Sequence, residues 1–214
     1  MNFLPDGIRN WYIGIITPAI EFFIKLEIHP NHFTTLGLLI QIVATYFMAT
    51  GSFFIGGWLI LAAGTCDIID GKVARARNIG TKFGALYDST LDRYAEFVMF
   101  FGLGYYFIYN EHYFSTVIAF IALGGSLMTS YIRARSEGLG FECKVGIMQR
   151  PERVVYIGFS AIFSSIAFWK PWPLVGVLWI IAACANYTAF QRLIHVYRSS
   201  DSGKELLTDN NKKE

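Results

Sequence analysis

The sequence predicts an all-α integral membrane protein: six transmembrane helices preceded by an N-terminal interfacial amphipathic helix. Three observations carry this. Only 16% of the 214 residues are charged while 54% are hydrophobic, against about a quarter charged in an average soluble domain. Apolar runs recur six times at close to the length a bilayer demands, about 20 residues. Lysine and arginine crowd the connections on one side of those runs and are scarce on the other, the asymmetry that marks a cytoplasmic face.

Taken in order, residues 8–27 mix Trp11, Tyr12, Ile16, Phe22 and Phe23 with Arg9, Glu21, Lys25 and Glu27. Glu21 and Lys25 weigh against a span, and the mixture suits a helix lying in the membrane interface, closed by His29-Pro30. Spans are expected at 33–50 and 53–69, then at a segment that starts polar at Gly84 and turns apolar over 95–109. Three more are expected at 113–133, 153–168 and 173–192. Several are short in their apolar part and reach spanning length by continuing as helix at a polar end. Gly51 and the pair Gly56-Gly57 read as punctuation of the first connection, and Lys170-Pro171 of the last. The chain thus divides into a juxtamembrane segment (1–30), a six-helix domain (31–198) and a polar tail (199–214) whose composition predicts disorder.

One set of connections and helix ends holds Lys72, Arg75, Arg77, Lys82, Arg93, Arg133, Arg135, Lys144, Arg150, Arg153, Arg192 and Arg198, while the opposite set holds Lys170 alone. This places both termini on the cytoplasmic side of a multi-pass protein of the cell membrane. Residues 1–10 contain an Asp, an Arg and a Pro in place of a basic stretch leading into an apolar core, so no cleavable signal is expected. A net charge of +2 does not suggest a nucleic-acid partner. Cys66, Cys143 and Cys184 lack CxxC or zinc spacing and read as small buried or interfacial residues. His29, His32, His112 and His195 show no pairing that suggests catalysis.

Between the second and third spans stands Asp67-x2-Asp70-Gly71-x2-Ala74-Arg75-x8-Gly84-x3-Asp88-x3-Asp92. Carboxylates at the edge of hydrocarbon are costly unless they hold a cation or a proton, which makes them a functional site by default. Asp67 and Asp70 share one helical face, and Asp88 and Asp92 share a face of the next helix. A short polar turn lets the pairs converge. Hard divalent ions with oxygen ligands fit four facing carboxylates: Mg2+ or Mn2+, one ion or two. Mg2+ is commonly held by a few carboxylates together with substrate phosphates. Gly71, Ala74 and, on the facing helix, Gly84 leave bare surface for a bulky group to approach, and Arg75 can grip a phosphate. Together these describe a nucleotide diphosphate site.

This pattern resembles the signature of the CDP-alcohol phosphotransferases at every position, and the likeness extends over about residues 8–198. The resemblance implies transfer of a phosphatidyl group from a CDP-linked lipid to an alcohol with release of CMP, by a homodimer. Asp67, Asp70, Asp88 and Asp92 would ligate metal, and Asp92 would also take the acceptor's proton. Gly71, Arg75 and Thr81 would contact the CDP group, with further contacts from Asn31, His32, Phe33 and Thr34.

The acceptor is sought among basic residues outside the signature. Arg133 and Arg135 in Ser-Tyr-Ile-Arg-Ala-Arg, Arg153 in Arg-Pro-Glu-Arg, and Arg192 in Gln-Arg-Leu all stand at expected cytoplasmic helix ends. They would form an anion pocket for a phosphorylated polyol. These segments resemble the branch of the family that joins CDP-diacylglycerol to inositol 1-phosphate, with Arg133 replacing a lysine common there. Arg150 is expected to cap a helix or meet solvent. Glycerol 3-phosphate as acceptor would demand a similar pocket. A divalent-cation transporter would need charge in the far-side halves of the spans, which lack it.

Overall fold

Among the described residues there are seven helices: α1 (Asp6–Lys25), α2 (Pro30–Ala49), α3 (Phe53–Ala76), α4 (Lys82–Tyr109), α5 (Tyr113–Gly138), α6 (Arg150–Ile166) and α7 (Trp172–Ser199). The computed structural model describes residues 6–166 and 171–200, and there is no strand among the described residues. The expected tail beyond Ser200, and Trp169 and Lys170 of the last far-side turn, lie outside the described residues.

Local chemistry sets the boundaries. Pro30 opens α2 at a position where its missing N–H costs nothing, and His29 Nδ1 accepts from the Asn31 N–H at 3.3 Å. Gly51 turns the chain between α2 and α3 at φ +79°, a conformation glycine reaches without strain. Thr81 caps α4, its hydroxyl accepting from the Gly84 N–H at 2.9 Å. At the start of α6, Glu152 accepts from the Gln149 N–H at 2.7 Å. The pair Gly56-Gly57 does not punctuate the connection as expected: both lie inside α3. Their use is packing, because a Cβ on Gly57 would stand 2.7 Å from Gly158 O and 2.7 Å from Ile162 Cγ1 of α6. Small residues at such crossings let backbones approach closely.

Helices α2 to α7 close a ring in the order α2, α3, α6, α7, α5, α4 and back to α2, with α1 packed on the outside of α3. All six contribute to one core, including Met48, Ile60, Phe100, Ala119, Ile157 and Leu178. The outer face is apolar as well: Val43 and Tyr46, Phe97 and Phe101, Phe159 and Phe163, and Trp179 and Ile180 are all exposed. A continuous apolar outer face of this kind is foreign to soluble monomers. Four helices, α2, α3, α5 and α7, are long and apolar enough to cross a membrane. Of the other two expected spans, α6 has 17 described residues, and α4 spends its first turns on the polar residues of the signature.

The second apolar cluster docks α1. Ile20 packs with Phe33, Ile69 and Val73, Tyr12 shares a 2.6 Å hydrogen bond with Thr65, and Arg77 donates to the Ile28 carbonyl. Helix α1 therefore follows α3 over its polar second half, from Thr65 to Arg77. Gly57→Val drives a side chain into α6 and is expected to cost about 1–3 kcal/mol. Thermal unfolding in detergent, followed by circular dichroism, should show the loss. Gly124→Val, where a Cβ meets nothing within 4 Å, should leave the midpoint unchanged.

Candidate active site

Helices α3 and α4 are joined by the short connection at residues 77–81 and both pack on α2, which brings their carboxylates to one cleft. Asp67, Asp70 and Asp88 converge: one oxygen from each lies within 4.8 Å of the others. Asp70 is only 5% exposed, and its Oδ2 accepts a 2.7 Å hydrogen bond from the Thr34 hydroxyl of α2. Asp88 Oδ1 is buried with no hydrogen-bond partner among the described residues. A buried acceptor left in that state is costly.

Asp92 stands apart from this trio. Its Oδ2 is 2.6 Å from Arg150 Nη1, and the same nitrogen lies 3.1 Å from Asp67 Oδ1. Arg150 is thus neither a cap nor a solvent-facing residue, contrary to expectation. It opens α6, and the packing of α6 on α3 carries it into the carboxylates. A deeper ionic layer lies behind it. Glu96, buried on α4, accepts from Arg153 Nε at 2.7 Å and lies 3.7 Å from Arg93 Nη1; Arg93 also donates to the Ser130 hydroxyl. Sequence reasoning counts Arg93 only among the cytoplasmic-side cations and passes over Glu96. Its signal was available, since Glu96 is a lone carboxylate opening an apolar run. Gln41, buried in α2 with its Nε2 unpartnered, lines the cleft together with Asp67, Asp70, Asp92 and Arg150.

The residues expected to meet a nucleotide divide by position. Arg75 folds its guanidinium back over Gly71, where a Cβ would stand 3.3 Å from Nη2; any larger residue would crowd it. Ala74 is half-buried and His32 exposed. Asn31 reaches the first turn of α4, its Oδ1 3.6 Å from the place of a Cβ on Gly84. Thr34 serves Asp70 and Thr81 caps α4, as described. Phe33 is buried against Phe23, ring centroids 4.8 Å apart, so it anchors α1.

The four arginines expected to form an anion pocket are held differently from one another. Arg133 pairs with Glu137 at 2.9 Å on the surface of α5, and Arg135 is exposed. Arg153 is 1% exposed and spends Nε on Glu96 and Nη1 on the Met148 carbonyl, leaving Nη2 unpartnered. Arg192 donates Nε to the Val145 carbonyl and Nη1 to the Thr129 carbonyl. Two of the four, Arg153 and Arg192, are already engaged in holding the protein together.

The donor set fits a hard divalent ion. The trio's oxygens lie within 4.8 Å of one another, a separation that a small inward shift would bring to a hard cation with oxygen ligands at about 2.0–2.1 Å, and the buried Asp88 Oδ1 would meet a cation in place of the donor it lacks. Asp67, Asp70 and Asp88 would hold the ion, with Thr34 orienting Asp70. Removing such an orienting bond typically costs about 10–100-fold in metal affinity. Thr34→Val is accordingly expected to weaken Mn2+ binding by about tenfold or more with little change in unfolding temperature, measurable by paramagnetic resonance of free Mn2+.

Residues 27–191 match the family model described as CDP-alcohol phosphatidyltransferase. The phosphatidylinositol phosphate synthase of Mycobacteroides abscessus is 33% identical over 201 residues, 93% of this chain and 90% of that protein. The archaetidylinositol phosphate synthase of Methanothermobacter thermautotrophicus is 33% identical over 200 residues, 91% of this chain and 98% of its own length. Among solved structures, the phosphatidylinositol phosphate synthase of Mycobacterium tuberculosis with CDP-DAG bound matches with a TM-score of 0.77 at 30% identity, over 86% of this chain and 94% of that one. The same enzyme in complex with manganese and citrate gives 0.76 at 29%, over 85% and 88%. Eight signature residues, a carboxylate trio suited to a divalent ion and this likeness along nearly the whole chain agree: the protein belongs to the CDP-alcohol phosphatidyltransferase family and is a transferase of phospholipid biosynthesis.

Proposed function

We propose that the protein transfers a phosphatidyl group from CDP-diacylglycerol to inositol 1-phosphate, releasing CMP and forming phosphatidylinositol phosphate. The observation that carries this is the convergence of Asp67, Asp70 and Asp88 within 4.8 Å, near Gly71, over which the Arg75 guanidinium folds. The inositol phosphate acceptor is favoured by the names of the relatives that align over 90% or more of this chain.

A divalent ion held by Asp67, Asp70 and Asp88 would supply charge to neutralise the diphosphate and the departing CMP. Arg75, with Gly71, Ala74 and Gly84 leaving room, holds the donor's phosphates, and Asn31, His32, Phe33, Thr34 and Thr81 border the nucleotide. Asp92 takes the proton of the acceptor hydroxyl as its oxygen bonds to the phosphatidyl phosphorus and the bond from that phosphorus to CMP breaks. A carboxylate is a weak base for a free alcohol and an adequate one where a cation lowers the hydroxyl's pKa. Arg133, Arg135, Arg153 and Arg192 attract the acceptor's phosphate; Arg153 brings the unpartnered Nη2 to this task.

The same reading sets the protein in the cell membrane as a homodimer, with α2 to α7 as six spans in a domain over residues 31–198. The exposed Phe97, Phe101, Phe159 and Phe163 support α4 and α6 as spans beside the four that composition alone identifies. Helix α1 serves as the interfacial juxtamembrane segment. The starts of α2, α4 and α6 and the ends of α3, α5 and α7 face the cytoplasm, with both termini and the carboxylates, as the lysine and arginine distribution supports.

Purified protein given Mg2+, labelled CDP-diacylglycerol and a panel of acceptors is expected to release CMP with inositol 1-phosphate. CMP release with glycerol 3-phosphate but not inositol 1-phosphate would overturn the acceptor assignment and keep the donor. Asp92→Asn should lower kcat by about 100-fold or more while CDP-lipid binding stays within a few-fold of wild type. Near-normal turnover would remove Asp92 as the base.

A further inference from the structure

We propose that Arg150 is a built-in cation at the Asp67–Asp92 side of the site, which a second divalent ion must displace in order to bind there. This rests on the metal-dependent reading above and concerns a residue that reading does not use.

The geometry is that of a bridging cation. One nitrogen, Nη1, reaches Asp92 Oδ2 at 2.6 Å and Asp67 Oδ1 at 3.1 Å, so a single point of positive charge joins carboxylates from two helices. An arginine in a purely structural pair more often grips one carboxylate with two parallel N–H groups. The guanidinium is also incompletely satisfied, because its Nε is buried with no partner. Arg192 makes a useful contrast, with Nε and Nη1 both bonded to main-chain carbonyls.

The contact divides the four carboxylates. Asp67, Asp70 and Asp88 form the trio; Asp92 is outside it, its oxygen taken by Arg150. A first ion can enter the trio without touching Asp92. A second ion that uses Asp92 must take the place Arg150 holds, because two cations cannot share one bridge between the same carboxylates. Both states keep a positive charge between Asp67 and Asp92, which like-charged groups in a cleft require.

Arg150 is suited to exchange by its position. It is the first residue of α6 and follows the irregular segment 139–149, where Gly140 and Gly146 hold φ +86° and +146°. Its side chain can swing at a helix start without disturbing the helix that follows. Arg153, one turn on, is locked by Glu96 and has no such freedom.

Mn2+ titration of the detergent-solubilised full chain, counted by paramagnetic resonance, tests the idea. Wild type should bind one ion tightly and a second at least about tenfold more weakly. R150Q and R150A should each tighten the second ion by about tenfold and bring out the spin-coupled signal of a manganese pair. R150K, which keeps the charge, should stay near wild type, and adding Asp92→Asn to R150Q should abolish the second ion. Either neutral variant suffices if the other fails to fold. An unchanged second affinity in the neutral variants, loss of the effect of charge in R150K, or a gain that survives without Asp92 would overturn the proposal. A wild type that binds no Mn2+ would instead overturn the metal-dependent reading on which it rests.

Discussion

Carboxylates set beside hydrocarbon cannot be left facing one another, and the rest of the structure is arranged around that constraint. Coulomb repulsion grows as water is removed, so each acidic group in the cleft needs a donor or a cation. Asp70 has the Thr34 hydroxyl, Asp67 and Asp92 share Arg150, and Glu96 lies between Arg153 and Arg93. Asp88 Oδ1 is buried without a hydrogen-bond partner among the described residues, within the trio whose donor set suits a metal ion. The unpartnered atom and the ion site are two descriptions of one fact.

The ring of six helices makes this arrangement rigid enough to use. Residues of α2, α3, α4 and α6 meet in the cleft, and each of these helices is fixed by the shared core below. Close approach matters as much as apolar area. Between helices that themselves face lipid, packing and small residues supply the attraction that the hydrophobic effect supplies in water. The Gly57–Gly158 crossing brings α6 near enough to α3 for Arg150 to reach Asp67. A structural glycine deep in the bundle and an ion pair at its mouth thus belong to one mechanical chain.

Much of the fold was legible in the sequence. The six apolar runs became six helices, and the signature residues landed on α3 and α4, on either side of one short connection. Periodicity explains this: a residue's face on its own helix follows from 3.6 residues per turn. The misreadings share a cause. Gly56 and Gly57 were taken for a turn because glycine marks both turns and close crossings, and sequence does not say which. Arg150 reads from sequence as a cap or a solvent-facing residue, because charge near a helix end usually meets water, yet it reaches Asp67 and Asp92.

By itself the sequence determined the chemistry and its setting: which residues are carboxylates, which stand on a common face, and which segments are too apolar for water. These are local quantities, settled by residue type and spacing. Only the tertiary structure decided partnership. The rotation and depth at which one helix meets another determine whether Asp92 joins the trio or pairs with Arg150, and whether Arg153 faces the cleft or Glu96. Those variables depend on side chains packing across the whole ring, at separations such as the 83 residues between Asp67 and Arg150, where no sequence period reaches.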